Sequence, residues 1–290
     1  MSFSKMSNLS QRLTVSAVIV TLILFAIYFA TNTFFRPIFV LLTAGFISYA
    51  LYELYHLAQQ KGMKPLERTG IICSVAYIFS IYLSYQHPSL LLLPMIVIAL
   101  TMLIIFGYYF FRGSDPLVNL SVTTFGVAYL TIPLSCLIAI TYYFNGNPTQ
   151  DGRWWLFYLI FVTKMTDTGG YFIGKNFGKS KFFAHISPNK TWEGAIAGLC
   201  FAVASSAILC LVAHNAFETS PFLLTYWQSL WLGLLIGILA QFGDLAESRL
   251  KRDMGVKDSN TMPGLGGILD VVDSLVFTSP LLYIFLKLHY

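Results

Sequence analysis

The sequence predicts an all-α, polytopic integral membrane protein with about nine transmembrane helices. Of its 290 residues, 56% are hydrophobic and only 11% are charged, and the mean hydropathy is +0.68. A soluble domain carries about 25% charged residues. The apolar residues also fall into long runs, and a spanning helix needs roughly 20 of them in succession. We therefore expect the lipid bilayer to be the main partner and expect no nucleic-acid partner.

Each predicted helix corresponds to one apolar run, and polar or charged residues separate the runs. The predicted helices are 13–30, 37–58, 70–86, 89–111, 117–143, 153–174, 192–213, 228–250 and 267–288. The fifth run is long and contains Gly126 and Pro133, so we expect it to be kinked or tilted. We divide the chain into N-terminal transmembrane helices, 1–150, and a C-terminal catalytic region, 151–290, that carries both motifs described below.

The basic residues predict the orientation of the chain. With a cytoplasmic N-terminus, 14 of the 18 Lys and Arg residues fall on the cytoplasmic side and three on the other. Cytoplasmic loops carry such an excess of positive charge. The polar loops 175–191 and 251–266 should therefore face the cytoplasm, and the C-terminus should lie outside.

Charge is concentrated in the stretch 243–273, which holds six of the 13 acidic and four of the 18 basic residues, and the chain on either side is nearly free of charge. Ionisable residues in such a setting indicate a functional site. One group shares a helical face through i, i+4, i+7 spacing: Asp244, Ser248 and Lys251. A second pair, Asp270 and Asp273, has i, i+3 spacing. The glycine-rich loop between the two groups can bring backbone N–H groups close to an anion.

A second motif occupies residues 166–194. It contains Asp167, followed by four glycines and by four lysines at 175, 179, 181 and 190. Thr191 is the predicted N-cap of the seventh helix, with Glu193 and Gly194 in its first turn. Glu53 lies far upstream in the second apolar run, and one interpretation places it at the membrane interface.

Four aspartates should lie at one depth, just below the cytoplasmic headgroups: Asp167, Asp244, Asp270 and Asp273. Unpaired carboxylates there would repel one another, and a divalent cation would resolve this. Oxygen ligands without His or Cys favour Mg²⁺ or Mn²⁺, and the surrounding lysines and glycines favour phosphate ligands. A structural alternative stays open, in which Asp167 and Asp244 pair with Lys164 and Lys251 only to hold helices together. The loop lysines, likewise, can be topology signals or contacts to anionic lipids.

At these residues the chain resembles the phosphatidate cytidylyltransferase family, also called CDP-diacylglycerol synthases. The C-terminal signature is met by Ser248, Lys251, Arg252, Lys257, Asp258, Pro263, Gly264, Gly266, Gly267, Asp270 and Asp273. The upstream pattern is met by Asp167-Thr168, 171–174, 178–181 and 186–194. There are departures: Leu265 stands where the family usually has His, Val271 where it usually has Arg, and the loop between Asp258 and Pro263 is one residue short. We assign no role to these positions.

The resemblance implies the reaction of CTP with phosphatidate to give CDP-diacylglycerol and pyrophosphate in a bacterial inner membrane. It implies that Asp244, Asp270 and Asp273 hold Mg²⁺ or Mn²⁺, that a second cation can be accommodated, and that Asp167 supports the cluster. Ser248 is expected to ligate a cation or a phosphate oxygen, and Lys251 to act in catalysis. Residues expected to bind the nucleotide and lipid phosphates are Lys179, Lys190, Lys251, Lys257, Gly266 and Gly267.

Two other classes of function stay open at this point, and the assembly state is open as well. A CTP-dependent polyprenol kinase would share the lipid, the nucleotide and the cytoplasmic site, but would leave no nucleotide on the lipid. A transporter would place charges near the bilayer midplane and contain an internal repeat, and the sequence displays neither. A homodimer is compatible with the sequence.

Overall fold

A computed structural model describes residues 8–112, 114–147, 149–183, 186–217, 221–256 and 267–290, with side chains from residue 17 onward except at residue 112. These ranges contain ten α-helices. They are α1 (Asn8–Phe29), α2 (Arg36–Gln60), α3 (Glu67–Gln86), α4 (Leu93–Arg112), α5 (Pro116–Gly126), α6 (Ile132–Tyr142), α7 (Gly152–Phe177), α8 (Trp192–Ala216), α9 (Tyr226–Asp253) and α10 (Ile268–His289). The all-α prediction is confirmed.

The helices α5 and α6 form one continuous run, as the sequence predicts, but with an irregular turn at its centre. A π-helical turn, Val127–Thr131, joins them, and the N–H of Ile132 donates to the carbonyl of Val127 five residues earlier. Pro133 has no N–H to donate to the preceding turn. Such a residue is a common cause of local widening in a helix. The irregularity expected near Gly126 and Pro133 is therefore a π turn.

Seven helical segments are long and apolar enough to cross a membrane: Arg36–Gln60, Glu67–Gln86, Pro88–Phe111, Pro116–Tyr142, Trp192–Ala216, Tyr226–Asp253 and Ile268–His289. The described part of α1 adds a shorter apolar segment, Ala17–Phe29. Helix α7 has 26 residues but is not among the seven, and it carries two lysines, an arginine and Asp167. The protein is an integral membrane protein, and the number nine is not established by these helices.

Helix α10 packs against α9, α6, α2 and α7, so it contacts both halves of the chain. The helices α7, α8 and α9 lie close together because small residues meet at their crossings. A Cβ atom on Gly233 would stand 2.7 Å from the Cβ of Ser206, and one on Gly237 would stand 2.8 Å from the Cβ of Ala202. These two close contacts hold α8 and α9 together beside the polar cavity described next.

Candidate active site

A cavity of about 870 Å³ lies at one end of the bundle, between α7, α8, α9, α10 and the loop that precedes α8. Its walls are formed by the C-terminal parts of α7 and α9 and by the N-terminal parts of α8 and α10. Its lining includes all four aspartates of the two motifs: Asp167, Asp244, Asp270 and Asp273. The four aspartates therefore converge on one cavity, and their depth below the headgroups stays a prediction.

The loop before α8 is folded against its own helix, and this brings Lys190 to the cavity. Thr191 accepts a hydrogen bond from the N–H of Gly194 at 3.2 Å, so the predicted N-cap is confirmed. Thr191 also pairs with Lys181 in an isolated antiparallel bridge, and the N–H of Phe182 donates to the carbonyl of Lys190 at 2.9 Å. Capping and bridging together fix the direction of the Lys190 side chain.

The first charged group of the cavity centres on Asp244. Its carboxylate is paired with Lys190 at 2.8 Å, and the hydroxyl of Ser248 donates to it at 3.4 Å. The carboxylates of Asp273 and Asp167 lie within electrostatic range of Asp244. Three acidic side chains from three helices therefore share one region, and among the described residues Lys190 is the lysine that contacts Asp244 directly.

Lys164 lies on the far side of this group and connects α7 with α10. Its ammonium group contacts Asp167 at 3.3 Å, and it donates to the carbonyl of Val271 at 3.0 Å and to the hydroxyl of Ser274 at 3.3 Å. One of the two structural ion pairs considered for the sequence, between Lys164 and Asp167, is thus present. The other is not, because Asp244 pairs with Lys190.

The second charged group centres on Lys251, which is largely buried. Its ammonium group lies 2.7 Å from Glu247 and also contacts Asp270. The side chain of Glu247 is only 1% exposed, and its Oε1 atom has no hydrogen-bond partner among the described residues. The sequence analysis did not include Glu247 in the site. The spacing of Glu247 and Lys251 could have indicated it, because an acidic residue four positions before a lysine on a helix is placed to pair with that lysine.

The aspartates that line the cavity offer carboxylate oxygens, which are suitable ligands for a magnesium or manganese ion. Among the described residues, no group of three or more acidic, His or Cys side chains is spaced to hold a metal ion. Mg²⁺ does not need such a cage, because it usually keeps several waters and is bound through one or two carboxylates together with substrate phosphates. Asp244 and Asp273, which approach the same region from α9 and α10, offer that kind of donor set.

The other residues predicted to belong to the site do not all line the cavity. Lys179 is exposed and is absent from the described cavity lining, and Ser248 reaches the site through Asp244. The N–H of Gly267 donates to Asp270 at 3.3 Å. Lys257, Gly266 and Leu265 lie outside the described residues. The cavity adds side chains that the sequence analysis did not assign to it: Tyr171, Lys175, Lys181, Asn189 and Gln241.

A sequence model of the cytidylyltransferase family matches residues 10–289, which is nearly the whole chain. The chain belongs to the cytidylyltransferase family. Members transfer a cytidylyl group, so the protein is a nucleotidyltransferase. The resemblance inferred from the two motifs is confirmed, and it extends into the N-terminal half that the motifs do not reach.

Several similar proteins are phosphatidate cytidylyltransferases of bacteria. The protein of Chlamydia pneumoniae is 33% identical over 290 residues, which cover 96% of this chain and 92% of that one. The protein of Staphylococcus aureus (strain COL) is 33% identical over 82% of this chain and 86% of its own. The protein of Bacillus subtilis is 43% identical over 143 residues, about half of each chain. This cytidylyltransferase therefore has full-length relatives of one named activity.

Proposed function

We propose that the protein transfers CMP from CTP to phosphatidate, giving CDP-diacylglycerol and pyrophosphate. The observation that carries the proposal is the cavity itself, where four aspartates and two paired lysines meet at one end of a membrane-embedded bundle. The names of the full-length relatives give the substrates. A cavity at the end of the bundle suits a reaction between a water-soluble nucleotide and a lipid whose acyl chains stay in the bilayer.

In the proposed reaction, a phosphate oxygen of phosphatidate attacks the α-phosphorus of CTP. A new P–O bond forms there, the bond to the oxygen that bridges α- and β-phosphorus breaks, and pyrophosphate leaves with the electron pair. The nucleophile is already an anion, so no serine, cysteine or histidine is needed to activate it. Catalysis then consists of positioning and of neutralising negative charge.

Lys190 and Lys251 are the residues proposed to neutralise the phosphates of CTP and of the lipid. Each is paired with an aspartate, and each lines the cavity. Lysine is a compact cation with a flexible stem, so it can exchange a carboxylate for a phosphate by rotation. Glu247 holds the other side of Lys251 and keeps it at the cavity wall.

We propose that Asp244, Asp270 and Asp273, supported by Asp167, bind Mg²⁺ or Mn²⁺ when the nucleotide is present. The ion would supply charge neutralisation at the phosphate oxygens. The carboxylates of Asp244 and Asp273 approach the same region, whereas Asp270 lies nearer to Lys251. We therefore expect Asp244 and Asp273 to be the principal ligands.

The proposed membrane is the bacterial inner membrane, with the cavity facing the cytoplasm. Two features support this orientation: Lys61, Lys190 and Lys251, which belong to three different parts of the chain, all lie at the cavity end of the bundle, and CTP is a cytoplasmic metabolite. Lys61 pairs with Asp253 at the end of α9.

The decisive experiment follows two labels through one reaction. Purified protein in lipid vesicles receives phosphatidate and CTP that carries tritium in the cytosine ring or ³²P at the γ-phosphate. The proposal expects tritium in a lipid product and ³²P in pyrophosphate. Transfer of ³²P to a lipid, with polyprenol as acceptor, would instead identify a kinase, and no transfer of either label would contradict both activities. The variant Asp273→Asn serves as the inactive control.

A further inference from the structure

Glu53 is a buried acidic residue far in sequence from both motifs. It lies on α2, only 1% of its surface is exposed, and its neighbours along the helix are apolar core residues such as Leu54 and Tyr55. Glu53 is therefore buried within the protein, and its interpretation as a residue at the depth of the membrane interface stays a prediction. Acidic side chains are almost never fully buried unless they have a partner. Glu53 accepts a hydrogen bond from the backbone N–H of Leu269, at 2.7 Å from its Oε2 atom.

Leu269 belongs to the first turn of α10, and the first N–H groups of a helix have no partner within the helix. An N-cap Ser, Thr, Asp or Asn usually satisfies one of them, but the N-cap residue of α10 is Gly267, which has no side-chain oxygen. Ile268 and Leu269 are buried, so this N–H is removed from bulk water. The acceptor comes instead from another helix, and its negative charge lies at the positive end of the α10 dipole.

This contact fixes the helix that carries two of the site aspartates. Asp270 is the next residue after Leu269, and Asp273 lies one turn further along α10. Glu53 joins the first turn of α10 to α2, a long helix with a buried face in the N-terminal half.

We propose that Glu53 is a positioning residue for cytidylyl transfer: it caps α10 from α2 and thereby sets the position of Asp270 and Asp273. The expected effect of Glu53 on turnover rests on the proposed function. Its expected effect on the first turn of α10 rests on the structure alone. It also gives the N-terminal half a role in the reaction, although both motifs lie in the C-terminal half.

The first test measures backbone hydrogen exchange and does not depend on activity. In Glu53→Ala the amide of Leu269 loses its acceptor, so peptides that cover residues 267–275 should take up deuterium faster than in the wild type. The control is Leu51→Ala, since Leu51 is fully buried on the same helix but its side chain points toward Gly126. Leu51→Ala should destabilise the protein without selective exchange in the first turn of α10.

The second test is kinetic and uses protein shown to be folded. A small displacement of catalytic groups can lower turnover by about 10²-fold, so we expect kcat of Glu53→Ala to fall by at least tenfold and the Mg²⁺ concentration for half-maximal activity to rise. Glu53→Gln keeps an oxygen acceptor, and neutral hydrogen bonds are roughly half as strong as charged ones. It should recover most of the exchange protection and of kcat.

Two results would overturn the proposal. The first is unchanged exchange over residues 267–275 in Glu53→Ala. The second is a Glu53→Ala protein with altered exchange but with wild-type kcat and wild-type Mg²⁺ dependence. Failure of the wild-type protein to transfer a cytidylyl group in the same assay would instead contradict the proposed function and leave the exchange result standing.

Discussion

Asp270 and Asp273 lie one turn apart on α10, yet they have different neighbours. Asp273 is buried and lies within electrostatic range of Asp244 and Asp167, whereas Asp270 contacts Lys251. Both are distinct from Asp253, whose side chain is 65% exposed and pairs with Lys61 at the surface. An exposed pair of that kind contributes about 0–1 kcal/mol to stability. Asp253 is therefore a suitable control for the two cavity aspartates.

The first prediction concerns these three aspartates. Asp270→Asn and Asp273→Asn each remove a charge with little change in shape, and each should lower kcat/KM by about 10²-fold or more through lost transition-state stabilisation. Asp253→Asn should stay within about tenfold of the wild type, because it loses only a surface ion pair. Steady-state kinetics of folded, membrane-inserted protein measure the difference. Equal and mild losses at all three positions would mean that the α10 aspartates are structural.

The second prediction concerns the metal ion. The aspartates in the cavity offer only oxygen donors, which suit Mg²⁺ and Mn²⁺. We expect protein stripped with EDTA to lose cytidylyl transfer and to regain it when either ion is added back. The measurement is turnover against free metal concentration, with thermal unfolding recorded in parallel as a control for folding. Full turnover in metal-free buffer would remove the ion from the mechanism.

The third prediction concerns the buried group of Glu247, Lys251 and Asp270. Removing one partner of a buried ion pair costs about 3–5 kcal/mol, because the remaining charge is uncompensated. Lys251→Met should therefore lower the midpoint of thermal unfolding. The double variant Lys251→Met, Glu247→Met removes the fully buried carboxylate as well and should recover a large part of the lost stability. Strictly additive losses in the double variant would show that Glu247 and Lys251 are not coupled.

At the scale of helices, the crossing of α7 and α8 depends on glycines that the cavity shares. A Cβ atom on Gly194 would stand 2.7 Å from the carbonyl oxygen of Gly170 and 3.0 Å from the Cα of Gly174. Both close contacts are with backbone, which cannot rotate out of the way. The positions of Lys190 and Thr191 depend on this crossing, because the N–H of Gly194 also donates the capping hydrogen bond to Thr191.

The fourth prediction follows from this crossing. Gly194→Ala should separate α7 from α8, lower the unfolding temperature and reduce kcat/KM, because Lys190 loses its fixed place beside Asp244. Gly45→Ala on α2 is the matched control, since a Cβ atom there would meet no atom within 4 Å. Alanine favours helix by up to about 1 kcal/mol over glycine, so the control should be neutral or slightly more stable. Equal behaviour of the two variants would contradict the close crossing.

The helices and much of the site could be predicted from the sequence because both depend on local spacing. All nine apolar runs are helical, Thr191 caps its helix, and Asp244 and Lys251 share a face that reaches the cavity. The partners could not be predicted in the same way. Whether Asp244 meets Lys190 or Lys251 depends on how three helices cross, and the contact of Glu53 with Leu269 joins residues 216 positions apart.

At the scale of the whole molecule, the two ends of the bundle differ in chemistry. One end carries the cavity with its lysines and aspartates. The other carries Arg36, which donates to Gln86 at 3.1 Å, and Arg153, which pairs with Asp151 at 2.6 Å. Lys287 lies at that second end, over the rings of Tyr85, Tyr143 and Tyr283. Arg36, Arg153 and Lys287, the three basic residues assigned to the outer side in the predicted orientation, thus lie at the end opposite the cavity.

The fifth prediction tests that orientation. The protein has four cysteines, and after their replacement a single cysteine is introduced at Phe183, which is 48% exposed beside the cavity, or at Leu288, which is 76% exposed at the other end. Because positive charge is retained on the cytoplasmic side, a membrane-impermeant thiol reagent should label position 183 only in inside-out vesicles and position 288 only in right-side-out vesicles. Detergent-opened vesicles, in which both sites should react, are the control for accessibility. Labelling of position 183 from the outside alone would place the cavity on the face opposite to CTP, and the proposed reaction could not then occur in a cell.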